Sequence, residues 1–117
     1  MATARELLLA NLRDVFGNRD AVSRRRAIDE TYADDVEFTD PEETVVGRDA
    51  LEKKAASLLD GAPAEFVFAE DGIAYADAEM GAQSWTFGPA GNPAARGIDL
   101  ITVRDGRISV LRTILAE

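Results

Sequence analysis

Histidine and cysteine are both absent from the 117 residues. Without imidazole the chain has no ordinary base near neutral pH and no Ser-His or Cys-His nucleophile pair, and without thiols it has neither disulfides nor a zinc site built on Cys or His. Any chemistry must rest on carboxylates, hydroxyls, Lys or Arg. Lysine itself is scarce, at two residues against eleven arginines. No run of about 18 apolar residues occurs, because Leu7-Leu8-Leu9-Ala10 is broken at once by Asn11 and Arg13, so neither a membrane span nor a signal peptide is expected. Basic charge is also short: 13 Lys plus Arg against 22 Asp plus Glu leave a net charge of -9. Such acidity repels nucleic-acid phosphate and anionic lipid, and the one basic run, Arg24-Arg25-Arg26, is too short for a binding stripe and reads as a solvated helix face. A cytoplasmic protein that binds neither nucleic acid nor membrane is the expectation.

What is present suits one globular domain over residues 1–117. Hydrophobic residues make up 46%, and a chain of this length buries roughly two-thirds of its unfolded surface without staples. Thr3-Ala4-Arg5-Glu6 is a capping box, after which Leu8, Leu12, Val15 and Phe16 share one helical face and Gly17-Asn18 stops the helix. A second helix is predicted from Asp20 to about Ala33, with Ala21, Arg25, Ile28 and Tyr32 on its stripe and Arg25 snorkelling at the core edge. Val36-Glu37-Phe38-Thr39 is a short alternating strand ending at Asp40-Pro41, and a turn and short strand follow around Val45-Val46. Asp49 and Glu52 then cap a third helix with Leu51, Ala55, Leu58 and Leu59 as its apolar positions, closed by Gly61 and Pro63.

The remainder reads as strands. Ala64 to Glu70 and Ile73 to about Ala82 flank Asp71-Gly72, a two-residue hairpin signal that sets Phe68 opposite Tyr75. Gly97 to Arg104 and Arg107 to Leu115 flank a second, Asp105-Gly106. Pairing by constant sum puts Arg104 opposite Arg107, Val103 opposite Ile108 and Asp99 opposite Arg112. The predicted architecture is α+β: a cone-shaped, curved antiparallel sheet wrapped around the N-terminal helices, leaving a cavity suited to a small ligand.

Tyr32-Ala33-Asp34-Asp35-Val36-Glu37-Phe38-Thr39-Asp40-Pro41, then Val46-Gly47-Arg48-Asp49-Ala50-Leu51, resembles the SnoaL-like and ketosteroid-isomerase-like branch of the nuclear transport factor 2 superfamily. Gly97 to Ile108 looks like the same family's final hairpin. The resemblance covers essentially the whole chain and implies the family's α+β roll. It also implies roles: Asp40 matches the general base of ketosteroid isomerase, and Asp99 matches the protonated carboxyl that donates to the oxyanion, a pairing used as a standard example of tuned carboxylates. A first-helix tyrosine completes that set in the family, but here the position is Leu12 or Phe16, and neither has a hydroxyl. Tyr32 matches a supporting tyrosine and is the candidate stand-in. Scytalone-dehydratase-like chemistry needs a histidine and is excluded.

Each candidate has a plain structural alternative. Asp-Pro at a strand end often only organises a turn. Asp99 opposite Arg112 forms either a cross-strand ion pair, which lowers its pKa, or a pocket carboxyl, whose pKa an apolar environment raises. Leu12, Phe16, Phe38, Trp85 and Ile101 are expected to contact the ligand, and Leu100, Leu111 and Leu115 to bury the outer sheet face in a homodimer. Asp34-Asp35 and Glu42-Glu43 lack a loop of the Asp-x-Asp-x-Asp-Gly kind, so no metal site is assigned. The expectation is a cofactor-independent acid-base enzyme, an isomerase or cyclase, acting on a small hydrophobic steroid-like or polyketide-like ketone through Asp40, Asp99 and Tyr32. The alternative is a non-catalytic ligand-binding or dimerisation domain of the same fold.

Overall fold

A computed structural model describes residues 1–117. The capping box forms as predicted, with the Thr3 side chain accepting from the Glu6 amide and the Glu6 carboxylate accepting from the Thr3 amide, and it starts helix α1, Ala4–Leu9. The helix runs directly into a π-helical segment, Ala10–Phe16, which ends at Gly17. Helix α2 spans Ala21–Thr31 and helix α3 spans Arg48–Asp60. The strands are β1 Tyr32–Thr39, β2 Thr44–Val46, β3 Phe66–Glu70, β4 Tyr75–Ala76, β5 Met80–Pro89, β6 Ala95–Arg104 and β7 Arg107–Leu115. They form one curved, open sheet in the order β2-β1-β7-β6-β5-β3, with β4 paired to β5. No helix is long and apolar enough to cross a membrane.

The α+β reading holds, but the sheet is mixed, because β1 lies parallel to β7. The long connection through β2, α3 and then β3 to β6 brings the last strand back beside the first, and the helices cover the inner face of the sheet. Val36, Phe38, Ile101, Ile108 and Leu111 from the strands pack there against Leu8, Val15, Phe16, Ile28, Leu51 and Ala55 from the helices.

Several local expectations change. Asp71-Gly72 does not turn a hairpin: β3 skips the following segment and pairs with β5, setting Phe68 opposite Phe87 instead of Tyr75. The reason is aromatic burial, since Phe68 stacks on Phe87 with centroids 4.2 Å apart and meets Trp85 edge-on at 5.2 Å, whereas Tyr75 stays exposed. Asp105-Gly106 does turn a hairpin, both residues taking positive φ, at 52° and 75°. Its constant-sum pairing survives only through Val103 and Ile108, because a bulge at Ser109 adds one residue, so Asp99 faces Thr113 and Leu100 faces Arg112.

On α2 Ile28 is buried as expected, but Ala21 is exposed, and the helix ends at Thr31, so that Tyr32, also buried, begins β1. Arg24, not Arg25, is buried, its Nε 3.0 Å from Glu52 Oε2 and its Nη1 donating to the Asn18 carbonyl at 2.9 Å. Arg25 stays at the surface between Asp29 and Asp49. Gly47, with φ 98°, is the cap residue of α3, and Asp49 sits inside its first turn. Leu111 is buried in the core and Leu115 lies on the cavity wall, so of the three leucines assigned to the outer face only Leu100 is there.

Candidate functional site

The curved sheet and the helices enclose a cavity of about 600 Å³. Its apolar wall includes Leu12 and Phe16 from the π-helical segment, Phe38 from β1 and the stack of Phe68, Trp85 and Phe87. Arg19 fixes the lip by donating to the carbonyls of Leu59, Pro63 and Phe66, which pins the connection from α3 to β3. Four of the five residues expected to meet a ligand are therefore on the wall. Ile101 is not: it is buried in the core beside Gly81.

Three polar residues cross the inner face in a row. The parallel register places Phe38 beside Leu111 and Thr39 beside Arg112, so Asp40 follows beside Thr113, which itself faces Asp99. All three line the cavity. Asp40 and Asp99 are thus separated by two strand spacings, about 10 Å between backbones.

Asp99 is 6% exposed and has no cation beside it. Its Oδ1 accepts from Thr113 Oγ1 at 2.7 Å and Trp85 Nε1 at 3.0 Å, and its Oδ2 accepts from Asn11 Nδ2 at 2.7 Å. Burial dominates and raises its pKa, while the bonds from Thr113, Trp85 and Asn11 pull the other way. The ion-pair alternative falls with the bulge: Arg112, opposite Leu100, projects from the other face of the sheet.

Asp40 is the reverse case. Burial raises its pKa, but the hydrogen bond from Lys54, the Glu43 and Glu42 amides and the Lys54 charge outweigh that and hold it low. Lys54 Nζ lies 2.6 Å from Asp40 Oδ2 and 3.2 Å from Glu43 Oε2, and these bonds keep the ammonium protonated above its ordinary range despite some burial. The two amides donate to Asp40 Oδ1 at 2.9 and 3.0 Å, the turn-organising role anticipated for Asp-Pro. The two aspartates of one cavity therefore have pKa values driven in opposite directions, the pattern by which acid and base roles are told apart.

Tyr32 is fully buried behind the wall and does not reach the cavity; its hydroxyl donates to Asn11 Oδ1 at 2.5 Å. Its phenol pKa is raised well above the usual value, by burial first and by the Asp99 charge second. Sequence reasoning missed Asn11, Lys54 and Thr113. A polar residue inside an apolar helical stripe was a visible signal for Asn11. Nothing local marks Thr113, which the bulge delivers.

A family model for the SnoaL-like domain matches residues 10–111. The chain belongs to the SnoaL-like family. A crystal structure provisionally named an isomerase of that family, from Agrobacterium tumefaciens, superposes on this SnoaL-like chain with a TM-score of 0.88 at 19% identity, covering 97% of each chain. Another, provisionally named a SnoaL-like polyketide cyclase, from Jannaschia sp. CCS1, gives 0.78 at 14% identity over 96% of this chain and 84% of that one. A de novo designed protein with a curved β-sheet reaches 0.75 at 13% identity, over 97% and 84%. No curated protein matches the sequence. At these identities the likeness concerns the fold, and fold alone does not assign an activity.

Proposed function

We propose that this SnoaL-like domain is a cofactor-independent acid-base catalyst, of isomerase or cyclase type, that moves a proton next to the carbonyl of a small, mainly apolar ketone. The observation that carries the reading is two aspartates in different surroundings on the wall of one apolar cavity, Asp40 bonded to the Lys54 ammonium, which lowers its pKa, and Asp99 buried without a cation, which raises its pKa. Asp40 abstracts the proton from carbon after parting from Lys54, and Asp99, as a neutral acid, donates a hydrogen bond to the carbonyl oxygen as it gains charge. Tyr32 contributes from behind through Asn11.

The test is hydrogen exchange into deuterated water at carbon next to a carbonyl, followed by NMR for a panel comprising 2-tetralone, a β,γ-unsaturated 3-keto steroid and a cyclic β-diketone. Asp40→Asn is expected to cut the exchange rate by about 10²- to 10⁴-fold, and Asp99→Ala to lower it as well. Unchanged exchange in both variants overturns the proposal. The Lys54 to Asp40 bond favours a second reading, a binding domain without catalysis, since it ties up the base. That reading expects the same ketones to bind without exchange above buffer. The outer sheet face, with Val67, Met80, Val110 and Ile114 exposed, is proposed as the contact of a homodimer.

A further inference from the structure

Asp99 is approached from every side but one. A carboxylate oxygen has two lone-pair positions. On Oδ1 both are filled, by Thr113 and Trp85, while on Oδ2 one is filled, by Asn11. Asn11 is 1% exposed and spends its own amide oxygen on Tyr32, whose hydroxyl makes no other hydrogen bond.

The polarity of this chain is dictated by its ends. An ionised carboxylate only accepts, so Asn11 must present Nδ2 to it and Oδ1 to Tyr32, which must then donate. A proton on Oδ2 aimed at Asn11 would require the amide to turn over and Tyr32 to accept. We propose that Asn11, clamped by Tyr32, is the positioning residue of the site: it occupies one position of Asp99 Oδ2 and so reserves the other for a ligand hydrogen bond or a proton. Tyr32 is the clamp, and it acts on Asp99 only through the amide. The consequence for ligands is directional. A ligand atom meets Oδ2 and never Oδ1, donating to it when Asp99 is ionised and accepting from it when Asp99 is protonated.

The ionisable groups around Asp99 are few. Tyr32 of β1 lies behind Asn11, Asp40 and Lys54 lie along the cavity wall, and the direct partners from the helical segment, β5 and β7 are Asn11, Trp85 and Thr113, which do not titrate. The proposal rests on reading Asp99 as a ligand-facing group, but its test needs no ligand, so the exchange assay and this one fail separately.

The Asp99 carboxyl carbon is followed by NMR against pH in the parent, Asn11→Leu, Tyr32→Phe and the double variant. Loss of a hydrogen bond to a charged group is expected to raise the Asp99 midpoint by about one pH unit in Asn11→Leu. Tyr32→Phe, which removes one oxygen and keeps the ring, is expected to raise it by a smaller amount with Asn11 present and to do nothing in the Asn11→Leu background. An equal shift in both backgrounds means that Tyr32 acts directly by its dipole, and no shift in either means that the clamp does not exist; both results overturn the proposal. Asn11→Ser provides the second background should Asn11→Leu not fold.

Discussion

Asp99 and Asp40 bring opposite signs of pH dependence to the same molecule. Asp99 has a folded pKa above its unfolded value of about 3.9, so its contribution to stability is complete at low pH, falls as pH rises through that window because the unfolded chain ionises first, and then levels off. Asp40, held below its ordinary value, contributes fully above the carboxylate range and loses that contribution as pH falls through its folded value. Asp99→Asn is therefore expected to lose less stability than the parent as pH rises above the unfolded value of about 3.9, as measured by urea denaturation at a series of pH values. An equal loss would place Asp99 in an ordinary, solvated environment. Lys54→Met removes the bond that holds Asp40 low, and the acid limb of the ketone-exchange profile should move to higher pH. Gly97 acts on the same site through space: a Cβ there would sit 2.4 Å from the Trp85 ring and 2.9 Å from the Ile114 carbonyl. Gly97→Ala should cost about 1–3 kcal/mol and shift Trp85 fluorescence as the indole leaves Asp99. The resemblance made Asp40 and Asp99 visible as candidates, yet their contrasting environments were not, because Lys54, Thr113 and Asn11 are 14, 14 and 88 residues away in sequence.

At the level of elements, the first helix shows how a spacing can be read twice. Leu7 and Leu8, Asn11 and Leu12, Val15 and Phe16 are buried in pairs exactly four residues apart. In a continuous α-helix each step of four overshoots by about 40°, and the stripe would wind out of the core. The widened turns of the π-helical segment swing it back, so that Asn11 and Phe16 can both face the sheet, and π-helical turns recur at functional sites for this kind of reason. The apolar face was legible; the period of four was its overlooked detail. The final hairpin teaches the same lesson. Ile108 and Leu111 both face the core although three residues apart, which strict alternation forbids without an extra residue at Ser109. Leu12 belongs to the helical stripe and to the cavity wall at once. Leu12→Ala is expected to cost about 2–5 kcal/mol in urea denaturation, at the upper end if the enlarged cavity does not collapse.

For the whole molecule, the inner and outer faces of the sheet set the remaining question. The inner face is closed by helices and the cavity, whereas the outer face leaves Val110 and Ile114 of β7 37% and 44% exposed, with Met80 of β5 and Val67 of β3 exposed farther across the sheet. These exposed apolar side chains are spread over β3, β5 and β7, and a second copy of the same curved sheet is the partner proposed to cover them. Val110→Lys with Ile114→Lys should convert a dimer to a monomer in sedimentation velocity without altering the far-ultraviolet spectrum, since neither side chain enters the core. A parent that sediments as a monomer would refute the dimer outright.

The sequence by itself determined the capping box of the first helix, the approximate positions of the helices, the α+β class and the exclusion of imidazole and thiol chemistry. These follow from local caps, periodicity and residue inventory, which act over a few neighbours. Only the tertiary structure decided that β1 runs parallel to β7, that Phe68 prefers Phe87 to Tyr75, and that Asp99 meets Thr113 and Asn11 in place of Arg112. Each of those outcomes depends on strands distant in the chain: the burial of Phe68 against Phe87 and Trp85 overrode the Asp71-Gly72 turn signal, and a bulge at Ser109 reset the register at Asp99. The missing histidine has a structural counterpart in two cavity carboxylates, one held low by the Lys54 ammonium and one raised by burial, and under the proposed function these divide the proton transfer that a single imidazole would otherwise carry.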